Sequence, residues 1–183
     1  MTTLSLARIQ DRRYAVVAAL GFAGALALAS QIAIPMPGTP VPFTLQPLIV
    51  VLAGMMLGPN LGAASMVVYL LAGAAGLPVF APLGAPGLAR FLGPTGGYLI
   101  AFPAAAYVAG FVALRKPTLL GRWIAAVLGM VVIFVGGIAQ LTILTGSIGR
   151  GLALGITPFA ILDIVKGLVA ALLARPWVRS PRD

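Results

Sequence analysis

At 183 residues, with 61% hydrophobic and 8% charged residues and a mean hydropathy of +1.09, the chain is far too apolar for a water-soluble domain, which carries about 25% charged residues. Cysteine and histidine are absent, which excludes disulfides, thiol chemistry, histidine metal sites and any histidine base. The net charge of +9 points to nucleic acid only until its location is read: nine of the twelve basic residues form three clusters flanking apolar segments (Arg8, Arg12 and Arg13; Arg115, Lys116 and Arg122; Arg175, Arg179 and Arg182), the pattern of cytoplasmic anchoring.

The expectation is an all-α membrane protein, one integral domain over residues 1–183, with room for six helices of about 20 residues each. The first span is placed at about 14–34. Ala27-Leu28-Ala29 resembles a signal-peptide cleavage site, but the apolar run exceeds the usual 7–15 residues, so the segment is read as a retained helix. Ala15, Ala19, Ala23 and Ala27 recur every four residues along it. Such a column lets another helix approach closely, either from within the chain or from a partner.

Gln31–Phe43 holds Pro35, Pro37, Gly38, Pro40 and Pro42, through which no helix continues; it reads as an uncharged outer loop. The second span, 44–57, is short at 14 residues, a rise of only about 21 Å. Gly58-Pro59-Asn60 makes an inner turn before the third span, 61–77. The loop Pro78–Pro94 is 17 residues long with Arg90 as its single charge, and long loops tend to be functional. The remaining spans are placed at 96–114, 124–144 and 156–174, with Arg115–Arg122 as an inner loop and Thr145–Gly155 as an outer one. This topology puts nine Lys/Arg inside, Arg90 and Arg150 outside and Lys166 within a span, with both termini cytoplasmic.

Asp163 and Lys166 are the conspicuous pair. Three residues apart on a helix, they share a face, and each isolated in a bilayer centre costs about 2.5–3.5 kcal/mol. They fall in the outer half of the last span, with no charge below them, which favours a pocket open to the outside over a relay across the membrane. Thr44 and Gln46, Arg90, and Thr95 and Tyr98 fall at the same level. Together they supply acceptors, donors and a cation around apolar space, the usual make-up of a small-ligand site. The plainer reading is mutual neutralisation of the pair in helix packing. The chain has no G-x-x-x-x-G-K-[ST] phosphate loop, so active uptake draws its energy from another subunit or an ion gradient. No catalytic group, metal site or cofactor is expected.

Val41-Pro42-Phe43-Thr44-Leu45-Gln46, Ala75-Gly76-Leu77-Pro78-Val79-Phe80 and Leu92-Gly93-Pro94-Thr95-Gly96-Gly97-Tyr98-Leu99, with Pro158-Phe159, Asp163 and Lys166 later in the chain, resemble the BioY family, the biotin-binding S components of energy-coupling factor (ECF) transporters. The resemblance covers about residues 14–174. It implies six helices in an S-component bundle, a biotin site near the outer face, and transport driven through a transmembrane coupling subunit (T component) and two ATPases in the bacterial cell (inner) membrane. It also implies that Asp163 and Lys166 meet the ureido ring and that Arg90 meets the carboxylate. The alanine column would then be the face docking on the coupling subunit. Ile161-Leu162 stands where the family often has Pro-Gly, and Pro47 where a Thr is common. The alternatives carried forward are an S component for another vitamin, a self-sufficient secondary carrier, and a purely structural membrane subunit.

Overall fold

The computed structural model describes residues 12–174. The basic residues Arg8, Arg175, Arg179 and Arg182, expected to anchor the cytoplasmic side, lie outside the described residues. The architecture is helical: α1 (Arg12–Gln31), α2 (Gln46–Leu57), α3 (Pro59–Ala74), α4 (Gly96–Arg115), α5 (Leu119–Thr145), α6 (Ile148–Gly155) and α7 (Ala160–Leu173). Helices α1, α4 and α5 are each long and apolar enough to cross a membrane. So are α6 and α7 taken as one span bent by 52° at the break between them, while α2 and α3 are shorter apolar helices.

Three expected boundaries move. Helix α5 starts at Leu119 rather than near residue 124, because the Thr118 side chain caps it by accepting from the Gly121 amide at 3.1 Å. The inner basic loop therefore shrinks, and Arg122 lies within α5, donating to the Ala174 carbonyl at the end of α7. The expected outer loop Thr145–Gly155 is mostly α6, begun by Ser147, whose hydroxyl accepts from the Arg150 amide. The last helix begins at Ala160, which puts Asp163 in its first turn.

Glycine permits the tight crossings. Gly58, at φ 83°, joins α2 to α3 directly, a conformation that side-chain-bearing residues rarely adopt. Above it, a Cβ on Gly54 would lie 2.0 Å from the Ala106 carbonyl oxygen of α4. At the other end of α4, a Cβ on Gly97 would lie 2.0 Å from the Gly136 carbonyl oxygen of α5. Small residues at crossings are how helices associate where lipid removes the hydrophobic drive.

The alanine column of α1 faces mainly inward. Ala19 and Ala23 are buried, and Ala15 and Ala27 are half-buried; Ala23 and Ala27 pack into the core with Leu26, Met66, Tyr69 and Phe80. The open face of α1 instead carries Val17, Leu20 and Leu28, with open space beyond Gly21 and Gly24.

The two long loops lie at one end of the bundle and are tied down there. Ala33–Ile34 pairs antiparallel with Phe43–Thr44 across the proline-rich loop, as β1 and β2. At the end of α1, the Ser30 hydroxyl donates to the Val79 carbonyl at 2.6 Å, and the Gln31 amide to the Phe80 carbonyl at 3.2 Å. The second loop then forms a 3-10 turn, Gly87–Leu92, that carries Arg90.

Candidate functional site

The first two turns of α7 bury Asp163 and Lys166, with exposures of 5% and 6%. Lys166 Nζ donates to Asp163 Oδ1 at 2.6 Å and to the Thr44 carbonyl at 2.8 Å, and lies 3.8 Å from the centre of the Phe43 ring. The lysine therefore joins α7 to the strand leading into α2. Burial of such a pair costs several kcal/mol per ion in desolvation unless geometry and further hydrogen bonds compensate. The ammonium has three interactions; the carboxylate has Lys166 as its one side-chain partner among the described residues.

The pair is not sealed. It borders a cavity with about 640 Å³ of atom-free space, its open mouth included. All seven residues singled out in the sequence line it: Thr44, Gln46, Arg90, Thr95, Tyr98, Asp163 and Lys166. The rest of the wall is largely apolar and aromatic, with Phe80, Phe102, Phe134 and Phe159 among its members.

Each polar side chain is held by identifiable local chemistry. Thr44 Oγ1 accepts from the Gln46 backbone amide and donates to Gln46 Oε1 at 3.2 Å. The other end of the Gln46 amide donates to the Tyr69 hydroxyl at 2.8 Å. Tyr98 stands in the first turn of α4 and donates to the Gly155 carbonyl at 3.0 Å; its ring occupies the space a Cβ on Gly137 would need, at 2.1 Å. Thr95 sits at the N-cap of α4 without a side-chain capping bond, so its hydroxyl is not used in capping.

Arg90 is 5% exposed. Its two terminal nitrogens donate to the carbonyls of Leu83 and Ala81, within its own loop. Its Nε is buried with no hydrogen-bond partner, and the residue is part of the cavity wall. Burial pulls this guanidinium below the ordinary arginine pKa; an arginine nonetheless stays charged.

Sequence reasoning missed Tyr69, which fixes Gln46 from outside the cavity, and Gln140 of α5, whose amide reaches the carbonyls of Phe91, Leu92 and Gly93. Both are polar residues in predominantly apolar stretches of helix. That was the available signal, since such groups need a partner.

A helical membrane bundle whose buried ionisable groups converge on one cavity at its looped end is the build of a multi-pass membrane protein that captures a small polar molecule. A crystal structure of the S-component for biotin from an ECF-type ABC transporter superposes with a TM-score of 0.82 at 24% identity, covering 95% of this chain and 92% of that one. The fold is thus that of an S component. The sequence matches the BioY family profile over residues 2–183, and the chain belongs to the BioY family. The probable biotin transporter BioY of Pyrococcus horikoshii is 39% identical over 74% of this chain and 79% of its own length. The biotin transporter BioY of Thermotoga maritima is 37% identical over 84% and 89%. These relatives are named as transporters, not enzymes.

Proposed function

We propose that the chain is the substrate-binding subunit of a biotin uptake system in the bacterial cell membrane, with its cavity opening outward. Six crossings follow if α1, α2, α3, α4, α5 and the bent α6–α7 pair each count once, which leaves both termini cytoplasmic. The distribution of Lys and Arg supports that orientation.

The chemistry of the cavity fits the vitamin. A ureido ring presents two N–H donors and a carbonyl, which the Asp163 carboxylate and Lys166 ammonium complement. Its fused rings and acyl chain suit the aromatic wall. The observation that carries the reading is that Arg90, whose buried Nε–H has no partner, lines the same cavity as the acid–amine pair: a ligand with a polar ring and a carboxylate answers both. Satisfying a buried donor is worth about 1–3 kcal/mol.

Transport energy is taken from a T component and two ATPases, since the chain has no phosphate loop of its own. The open face of α1 around Gly21 and Gly24 is where close approach by the T component is feasible.

The test is calorimetric titration of the purified chain with biotin, followed by competition with riboflavin and thiamine. Saturable biotin binding undisturbed by either competitor is expected. Displacement by riboflavin or thiamine would reassign the vitamin, and no biotin binding at all would reject the reading. Uptake by the chain alone in liposomes under an ion gradient would favour a secondary carrier.

A further inference from the structure

We propose that Gln140 is a positioning residue that sets Arg90 for the carboxylate end of the ligand, an inference that rests on the biotin reading above. Arg90 sits on a 3-10 turn in the loop between α3 and α4, and a loop side chain is only as well placed as the turn that carries it. Near the end of that turn the Arg90 carbonyl accepts from the Gly93 amide and the Gly93 carbonyl from the Gly96 amide, and a side chain of α5 reaches the same stretch of backbone. Gln140 Nε2 lies 3.4 Å from the Phe91 carbonyl oxygen, 3.3 Å from that of Leu92 and 3.4 Å from that of Gly93. Among the described residues, no other side chain from outside the loop bonds this turn.

The neighbouring backbone is shaped to allow the contact. A Cβ on Gly97 would come within 2.6 Å of the Gln140 Cβ, and a Cβ on Gly96 within 2.0 Å of the Phe91 carbonyl oxygen. The Gly-Gly step that opens α4 thereby makes room for Gln140 and for the carbonyl it meets. On the other side, Phe91 packs edge-to-face on Phe80 at 5.7 Å, and the Arg90 guanidinium lies 6.0 Å from the centre of the same Phe80 ring. The turn is therefore held by an aromatic contact on one side and by the Gln140 amide on the other. Removing the amide frees the turn to rotate and takes the Arg90 Nε–H with it, while Asp163 and Lys166, on α7, stay where they are.

That separation gives the experiment. Gln140→Leu, with Gln140→Met as a second variant, is titrated in the full-length purified protein with biotin and with biotin methyl ester, which keeps the ureido ring and lacks the charge. Biotin affinity is expected to fall about five- to twentyfold in both variants, and ester affinity to stay within about twofold. In an Arg90→Ala background, Gln140→Leu should cost less than about twofold further, because residues acting through one another are not additive. Equal losses for both ligands, no loss for biotin, a full additional loss in the Arg90→Ala background, or collapse of both variants as folded protein would each assign Gln140 a structural role and overturn the inference. Wild-type protein that binds neither ligand would instead remove the biotin reading, and this inference with it.

Discussion

The acid–amine pair makes an asymmetric prediction. In Lys166→Met, Asp163 keeps a buried carboxylate whose one side-chain partner among the described residues is gone. Breaking a buried pair costs about 3–5 kcal/mol, offset by about 0.3–1 kcal/mol from the carboxylate's place in the first turn of α7. A net loss of about 3–4 kcal/mol follows. In Asp163→Leu the lysine retains the Thr44 carbonyl at 2.8 Å, worth about 1.5–3 kcal/mol for a charged donor. It also keeps the Phe43 ring at 3.8 Å, worth about 0.5–2 kcal/mol. The loss there should be only about 1–2 kcal/mol. The double substitution removes both charges and should return to within about 1 kcal/mol of the native protein, because apolar replacement of a buried pair is often neutral or stabilising. Biotin binding should nonetheless stay lost in the double variant. Reversible unfolding in mixed micelles measures the three stabilities, and titration calorimetry the binding. An Asp163→Leu loss as large as that of Lys166→Met would refute the partner count, and a double variant that binds biotin would refute the ligand role of the pair.

Gly97→Ala should destabilise the protein by about 1–3 kcal/mol, since its methyl would meet the Gly136 carbonyl oxygen at 2.0 Å and backbone cannot swing aside; native stability in the same unfolding assay would refute the close crossing. Tyr69→Phe leaves the Gln46 Nε2 without its hydroxyl acceptor, at about 1–3 kcal/mol. Biotin affinity should weaken while the circular dichroism spectrum is unchanged, and unaltered stability together with unaltered affinity would remove Tyr69 from the site's support. Arg90→Lys replaces a fork that reaches the Leu83 and Ala81 carbonyls by a single ammonium. Biotin should bind more than about tenfold more weakly, with little change for its methyl ester; an equal loss for both ligands would place Arg90 in loop folding alone.

What the sequence made legible depended on how costly each residue was in its setting. Asp163 and Lys166 stood out because ionisable groups in an apolar helix are expensive and need a reason to be there, and the structure does bring them to a cavity with the other five polar residues. The membrane-spanning α4 and α5 followed from apolar length. Helix α6 did not, because Gly149, Gly151 and Gly155 read as breakers by propensity. Their use is different: Cβ atoms on Gly151 and Gly155 would meet the Thr142 hydroxyl at 2.4 Å and the Tyr98 hydroxyl at 2.7 Å, so two of these glycines serve close packing against α5 and Tyr98 rather than flexibility. The alanine column was ambiguous for a related reason. Spacing shows that a helix face is small but not which neighbour lies against it, and here the neighbours of Ala23 and Ala27 include Leu26, Met66, Tyr69 and Phe80 of the same chain. Tyr69 and Gln140 escaped because their partners are one amide side chain and three loop carbonyls, and a carbonyl leaves no mark in a sequence. The groups that present charge to a ligand are therefore readable from residue type, whereas the groups that aim them become visible only once the chain has folded back on its own backbone.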